Sequence, residues 1–312
     1  MALTINTNLS SMIVQNNLTK STTALNQAIE RMTTGFKINH AADNAAGYSI
    51  ARTWEAQLGS LDVAADNAAT GADMLSTLED NYALVSQHVQ RVRDLTEQAA
   101  NGTYGTQSLK AIQSEITARL EEINRIAANC EFNGQNMMNG TLSSGLAIQV
   151  GVDGNATKSQ ISLSGELFRR ADVKALVLNK ATAAEDGAIK DETAATMKTA
   201  IDDFAKKCAG LDDNTDVDAR KSAADMLSNI DDMINTISSR ITTLGAAQNR
   251  IQSAIESIGV QTENITSSLS TLRDADVAQE SSNYIKAQIL QQASATLLAT
   301  ANQTPSIALN LL

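Results

Sequence analysis

Between Ile230 and Leu272 one set of positions recurs in alternating steps of four and three: Ile230, Ile234, Ile237, Ile241, Leu244, Gln248, Ile251, Ile255, Ile258, Thr262, Ile265, Leu269 and Leu272. Only Gln248 and Thr262 interrupt its apolar character. A seam held in phase this long predicts one continuous helix with coiled-coil packing. At the helical rise it would be roughly 65 Å long. A second series, Leu75, Leu78, Tyr82, Val85, Val89, Val92, Thr96 and Ala99, stops at the helix-ending pair Asn101-Gly102. A third, Leu109, Ile112, Ile116, Leu120 and Ile123, predicts a helix ending near Asn129. Each rod carries one apolar stripe and must cover it against the others.

The period then changes. Phe132-Asn133-Gly134 and Asn139-Gly140 mark tight turns. Leu146, Ile148, Val150 and Val152 alternate, Asp153-Gly154 predicts a reversal, and Ile161 and Leu163 alternate again, which together predict a β-hairpin. From about Gly165 to Arg220 the chain is rich in Ala, Lys and Asp, with one further helix expected at Asp191–Cys208 and a loop at Leu211–Asp218. This segment is expected to be a small exposed insertion.

The two ends share an unusual chemistry. From Ala2 to Ile29 the only charged side chain is Lys20, and residues 287–312 carry none. Ile5, Leu9, Met12, Leu18, Leu25, Ile29 and Met32 fit a helical face, as do Ile285, Ile289, Leu290, Leu297 and Leu298. The remaining positions are mostly Asn, Gln, Ser and Thr. A solvated helix normally carries charge, and a helix lying in lipid shows a basic face. Apolar stripes with uncharged polar groups suit burial among other helices, because such groups hydrogen-bond without the desolvation cost of ions. Both ends are therefore expected to order beside partners.

Composition narrows the function. Aromatic residues make up 3% of the 312-residue chain and there is one proline, which permits long helices and thin aliphatic seams. A formal net charge of −11 disfavours nucleic acid. No stretch of about 18 apolar residues is present, so no membrane span is expected. The opening MALTINTNLSSMIVQNN lacks a basic cluster and a long apolar run, so no cleavable signal is expected. Cys130 and Cys208 are too few for a disulfide framework and have no metal-ligand spacing around them. His40 and His88 stand apart, and neither a phosphate loop nor a nucleophile elbow occurs. Asp212-Asp213-Asn214-Thr215-Asp216 is similar to a calcium loop, but Val217 and Ala223 occupy the places of its Gly and Glu. Asp43-Asn44-Ala45-Ala46-Gly47 is expected to be a turn or hinge between helical regions. Neither catalytic residues nor a cofactor is expected.

Long motifs then narrow the family. INTNLSSMIVQNNL and AIERMTTGFKINHAADNAAGYSIA stand near the start, and VQRVRDLTEQAANGTY, IQSEITARLEEINRIA and FNG follow. LGAAQNRIQSAI and AQILQQASATLLATANQ stand near the end. Together they resemble bacterial flagellin over about the first 165 and last 90 residues. The resemblance implies a mainly α fold: a long antiparallel coiled-coil-like bundle with a small β-hairpin region and paired N- and C-terminal helices. It implies an inner-tube domain (1–44 and 274–312), a surrounding rod (45–170 and 221–273) and a short variable insertion (171–220).

The implied function is a self-assembling subunit of the flagellar filament used for swimming, with a hook–filament junction protein as the alternative. A membrane-bound adhesin or a filament-borne enzyme finds less support in the chain. The resemblance further implies a secreted, extracellular protein exported through the flagellar type III apparatus. Its partners would be other copies of itself, an export chaperone, the filament cap and hook-associated junction proteins. A host Toll-like receptor is implied by the QRVR-x-L motif, here Gln90, Arg91, Val92, Arg93, Asp94 and Leu95, with Glu115 on the next helix; Asp94 stands where many relatives carry Glu. Ile5, Leu9, Met12, Ile289, Leu290, Leu297 and Leu298 are the residues expected to pack the inner tube.

Overall fold

A computed structural model describes residues 8–178 and 216–310. The long helices are α1 (Leu9–Thr34), α2 (Ala45–Ala100), α3 (Thr106–Asn129), α6 (Asp216–Arg273) and α7 (Val277–Asn310), with short helices α4 (Ala156–Ser159) and α5 (Val173–Leu178). Two antiparallel hairpins, β1–β2 and β3–β4, complete the described elements. The fold is mainly α, as the residue pattern and the resemblance imply. The chain divides into two compact units, one of residues 1–59 and 260–312 and the other of residues 60–259.

The 60–259 unit holds the larger core. All eight positions from Leu75 to Ala99 are buried, as are the five predicted on α3. On α6 the expected seam is half right. Ile230, Ile237, Leu244, Ile251 and Ile258 are buried, whereas Ile234, Ile241 and Ile255 are half-buried at its flank. The other buried positions are Ser222, Ala223, Met226, Met233, Arg240 and Ala247. Arg240 lies inside because its Nη1 donates to the Tyr82 hydroxyl (3.3 Å) and to the carbonyls of Arg169 (3.3 Å) and Arg170 (3.0 Å). A buried guanidinium is tolerated when its donors are occupied.

Strands β1 (Glu131–Phe132) and β2 (Gln135–Asn136) pair with Phe132 opposite Gln135. Asn133 (φ 48°) and Gly134 (φ 77°) make the turn between them. Positive φ at both central residues gives a two-residue loop the twist of the flanking strands. Strands β3 (Leu146–Gln149) and β4 (Gln160–Leu163) pair Leu146 with Leu163 and Ile148 with Ile161. The predicted reversal at Asp153-Gly154 is a longer connection: the Asn155 side chain accepts from Thr157 N (3.0 Å) and α4 intervenes. Val152 is exposed there and belongs to no strand.

The insertion expected from Gly165 onward is not wholly exposed. Leu167, Phe168, Ala171, Val173 and Leu176 are core residues. The Val173 amide donates to Asn124 Oδ1 (3.0 Å) and that of Ala171 to Met138 O (3.0 Å). Helix α6 already begins at Asp216, inside the expected loop. The proposed helix at Asp191–Cys208 lies outside the described residues, as do Asp212 to Thr215 of the calcium-like run.

The other unit is built on the antiparallel pair α1 and α7. Helix α1 ends at Gly35 (φ 76°), whose amide donates to Arg31 O. The left-handed conformation there suits a residue without Cβ. Phe36 forms a bridge with Asp274, Lys37 N donates to Arg273 O (2.7 Å) and Ala275 N to Gly35 O (2.8 Å). Helix α2 starts at Ala45 with the Asn44 side chain accepting from Gly47 N (3.0 Å). The expected hinge at Asp43–Gly47 is thus a turn ending at Asn44, and Ala45–Gly47 already belong to the first helical turn.

Candidate assembly surface

The α1–α7 seam has a heptad rhythm on both sides. Ser11, Val14, Leu18, Ser21, Leu25 and Ala28 face Glu280, Tyr284, Ala287, Gln291, Ser294, Leu298 and Ala301, all buried or half-buried. Most of these side chains are small or polar, so the pairing buries little apolar area and is stabilised accordingly weakly. Hydrogen bonds fix its register: Asn8 Nδ2 donates to Ala301 O (2.8 Å) and Ser11 Oγ to Asn302 Oδ1 (2.7 Å). Near the other end Arg31 pairs with Glu280 at 3.3 Å. The ends, expected to order only beside other copies, are therefore already helical and paired within one chain.

The larger aliphatic side chains mostly lie elsewhere. Leu9, Met12, Ile13 and Ile29 on α1, and Ile285, Ile289, Leu290 and Leu297 on α7, each leave 44–65% of their surface open. Of the expected tube-packing residues, only Leu298 takes part in the seam. Ile5 lies outside the described residues. The single helical face expected for Leu9, Met12, Leu18, Leu25, Ile29 and Met32 is therefore divided. Leu18 and Leu25 face α7, while Leu9 and Met12 fall out of phase with that seam and stay open.

Several hydroxyls on these helices are internally satisfied. The hydroxyls of Thr19, Ser21, Thr22 and Thr23 donate to carbonyls four residues back, and those of Thr296 and Thr300 to carbonyls three residues back. A hydroxyl bonded to its own helix needs no water or external acceptor, so a neighbour can cover it at little desolvation cost. Lys20 and Lys286 line one open groove between α1 and α7, together with Arg31 and Glu280.

The connection beside this surface is tightly bonded. The Asp43 carboxylate accepts from Asn39 N (3.1 Å), His40 N (3.0 Å) and Gln27 Nε2 (3.2 Å). The His40 amide foremost, helped by Arg31 nearby, holds this carboxyl below its ordinary range. The Arg273 guanidinium lies 4.1 Å from the Phe36 ring centroid and pairs with Glu55.

The QRVR-x-L residues form a second, charged surface on the 60–259 unit. Arg91 Nε meets Glu115 Oε1 at 3.1 Å, joining α2 to α3. Arg93 Nε meets Asp231 Oδ1 at 2.8 Å, joining α2 to α6. Gln90 and Asp94 are exposed. Leu95 differs from the expectation: only 2% of it is open, because it lies on the core side of α2, three residues beyond buried Val92.

Other expected chemistry is accounted for locally. Burial pushes the Cys130 thiol up to about 11, and Cys208 lies outside the described residues. His40 sits 3.2 Å from Glu30, and His88 lies 3.4 Å from Arg119. Among the described residues no group of three metal-ligating side chains converges, and no helix is long and apolar enough to cross a membrane.

Comparison with known proteins agrees with this architecture. Residues 5–143 match the bacterial flagellin N-terminal helical region, and residues 227–312 match the bacterial flagellin C-terminal helical region. Polar flagellin F of Vibrio parahaemolyticus is 32% identical, with 100% of both chains covered. Flagellin C of Vibrio anguillarum is 30% identical over the same full coverage. A candidate flagellar hook-associated protein from Vibrio parahaemolyticus shares the fold, with a TM-score of 0.58 at 14% identity over 74% of this chain and 100% of that one.

Proposed function

Because this chain belongs to the bacterial flagellin family and is a structural subunit of the flagellar filament, we propose that α1 and α7 supply its inner-tube contacts. The observation carrying this reading is the make-up of the α1–α7 pair: mostly small and polar residues inside, and most of the large aliphatic residues outside. A pair meant to stand in water would do the opposite. Beside identical copies Leu9, Met12, Ile289, Leu290 and Leu297 gain the cover they lack in one chain. Assembly is then driven by apolar burial and resisted by the repulsion of chains carrying a formal charge of −11 each.

In this reading residues 1–44 and 274–312 are the inner-tube domain, 45–170 and 221–273 the surrounding rod, and 171–220 a short insertion. The subunit is secreted through the flagellar export apparatus, and its partners are an export chaperone, the filament cap and hook-associated junction proteins. The test is deletion of residues 287–312. Filament growth from sheared seeds should stop while the 60–259 unit keeps its thermal transition; normal growth of the truncated chain would defeat the proposal.

A receptor contact rests on a separate observation: Gln90 and Arg91 are exposed on α2, where Arg91 pairs with Glu115 of α3 and Arg93 with Asp231 of α6, while Leu95 lies on the core side. Exposed ion pairs contribute about 0–1 kcal/mol, so Arg91→Ala should scarcely alter folding. It should weaken signalling through a Toll-like receptor, and an unchanged dose response would remove the claim.

A further inference from the structure

Three Asn-Gly pairs stand in turns of this chain, at Asn101, Asn133 and Asn139, and their surroundings differ. From that difference we propose that Asn101 is a self-modifying site, converting to aspartate and isoaspartate in the folded subunit. The nucleophile is the backbone nitrogen of Gly102. Having lost its proton, it attacks Asn101 Cγ and forms a new C–N bond. The negative charge that develops on Oδ1 returns as the Cγ–Nδ2 bond breaks, and Nδ2 leaves with a proton as ammonia. The resulting five-membered imide is opened by one water at either carbonyl. One opening gives aspartate; the other gives isoaspartate, with the main chain running through the former side chain. Nothing is oxidised or reduced, and water is the only co-reactant.

Three features favour Asn101. Its Oδ1 accepts from both Thr103 N and Thr103 Oγ1, each at 3.1 Å. These donors point at the oxygen on which charge develops, the arrangement by which oxyanion holes lower a barrier. The attacking residue is glycine, so no side chain obstructs its nitrogen. The site is also open: residues 101–103 and Gly105 are exposed, while the half-buried Tyr104 between them packs against the core.

Each of the other pairs lacks one of these features. Asn139 Oδ1 has the same two donors, from Thr141 N (2.9 Å) and Thr141 Oγ1 (2.7 Å). However, it follows the fully buried Met137 and Met138, whose backbones bond to Cys130 and Ala171. Gly140 is held at φ 86° against the Arg170 side chain. Ring closure there must disturb the core. Asn133 is fixed by the β1–β2 rungs on either side, and its amide oxygen has no such donors among the described residues. The expected order is Asn101, then Asn139, then Asn133. Conversion at Asn101 places a carboxylate just past the C-terminal end of α2, where the helix dipole already disfavours negative charge.

The test incubates purified full-length protein at neutral to mildly alkaline pH and follows tryptic peptides by mass spectrometry. Chromatography against synthetic standards separates aspartate from isoaspartate. The peptide bearing Asn101 should convert first, its rate rising about tenfold per pH unit, as expected for a nucleophile titrating far above the working pH. Thr103→Val retains the backbone donor and removes the hydroxyl, and it should slow conversion by roughly tenfold, less than enzymes lose with a full oxyanion donor. In denaturant the three sites should converge, because the geometry that ranks them is gone. Conversion of Asn133 or Asn139 ahead of Asn101 in the folded chain, an unaffected Thr103→Val variant, or the same ranking in denaturant would each overturn the proposal.

Discussion

Ile289→Ala isolates the contribution of the outward aliphatic face to assembly. The substitution removes three carbons, worth about 2.4 kcal/mol when fully buried at about 0.8 kcal/mol per methylene. In the single chain 59% of Ile289 is open, and only that share can be newly covered by a neighbour. The loss on assembly is then roughly 1.4 kcal/mol per subunit, which is about tenfold in the concentration at which filament and monomer coexist. Alanine is the better helix former, so α7 itself is not weakened. The assay is sedimentation of seeded filaments over a dilution series, with Gln292→Ala, an exposed polar neighbour on α7, as control. Leu297→Ala should give a similar shift, since 57% of it is open. Coexistence concentrations within about twofold of the parent for both aliphatic variants would refute the reasoning, because tenfold per 1.4 kcal/mol leaves no room for buried aliphatic contacts.

Two further outcomes follow from the bonded groups. Tyr82 is fully buried; its hydroxyl donates to Leu167 O at 3.0 Å and accepts from Arg240 at 3.3 Å. Tyr82→Phe should cost about 1–3 kcal/mol by leaving buried partners unsatisfied, and an unchanged melting temperature of the 60–259 unit would show that Arg240 does not depend on it. The Asp43 carboxyl is held below its ordinary value, so the stability it confers is complete above its unfolded pKa and lost as pH falls through the lower folded one. The amide resonances of Asn39 and His40 should therefore shift in the acid range, and Asp43→Asn should abolish that transition; persistence of the shift in the variant would assign it to another group.

The residue pattern determined the helices and the family because both rest on local, repeated information. A stripe such as Leu75–Ala99 specifies which face is buried whatever covers it, and the pair Asn133-Gly134 specifies a turn through backbone sterics alone. The charge-free ends likewise pointed to helices made to pair with other helices, and α1 and α7 do pair with each other. Which of several apolar positions goes inward depended on the neighbour. Arg240 reads as a surface charge until Tyr82 and the carbonyls of Arg169 and Arg170 surround it. Leu95 reads as part of an exposed motif until α2 turns it into the core. Leu9 and Leu18 look equivalent along α1, yet the α7 seam covers one and leaves the other open. Hydrophobicity fixes how much surface must leave water, but only the packed arrangement of helices fixes which atoms meet, and therefore which apolar surface remains for another subunit.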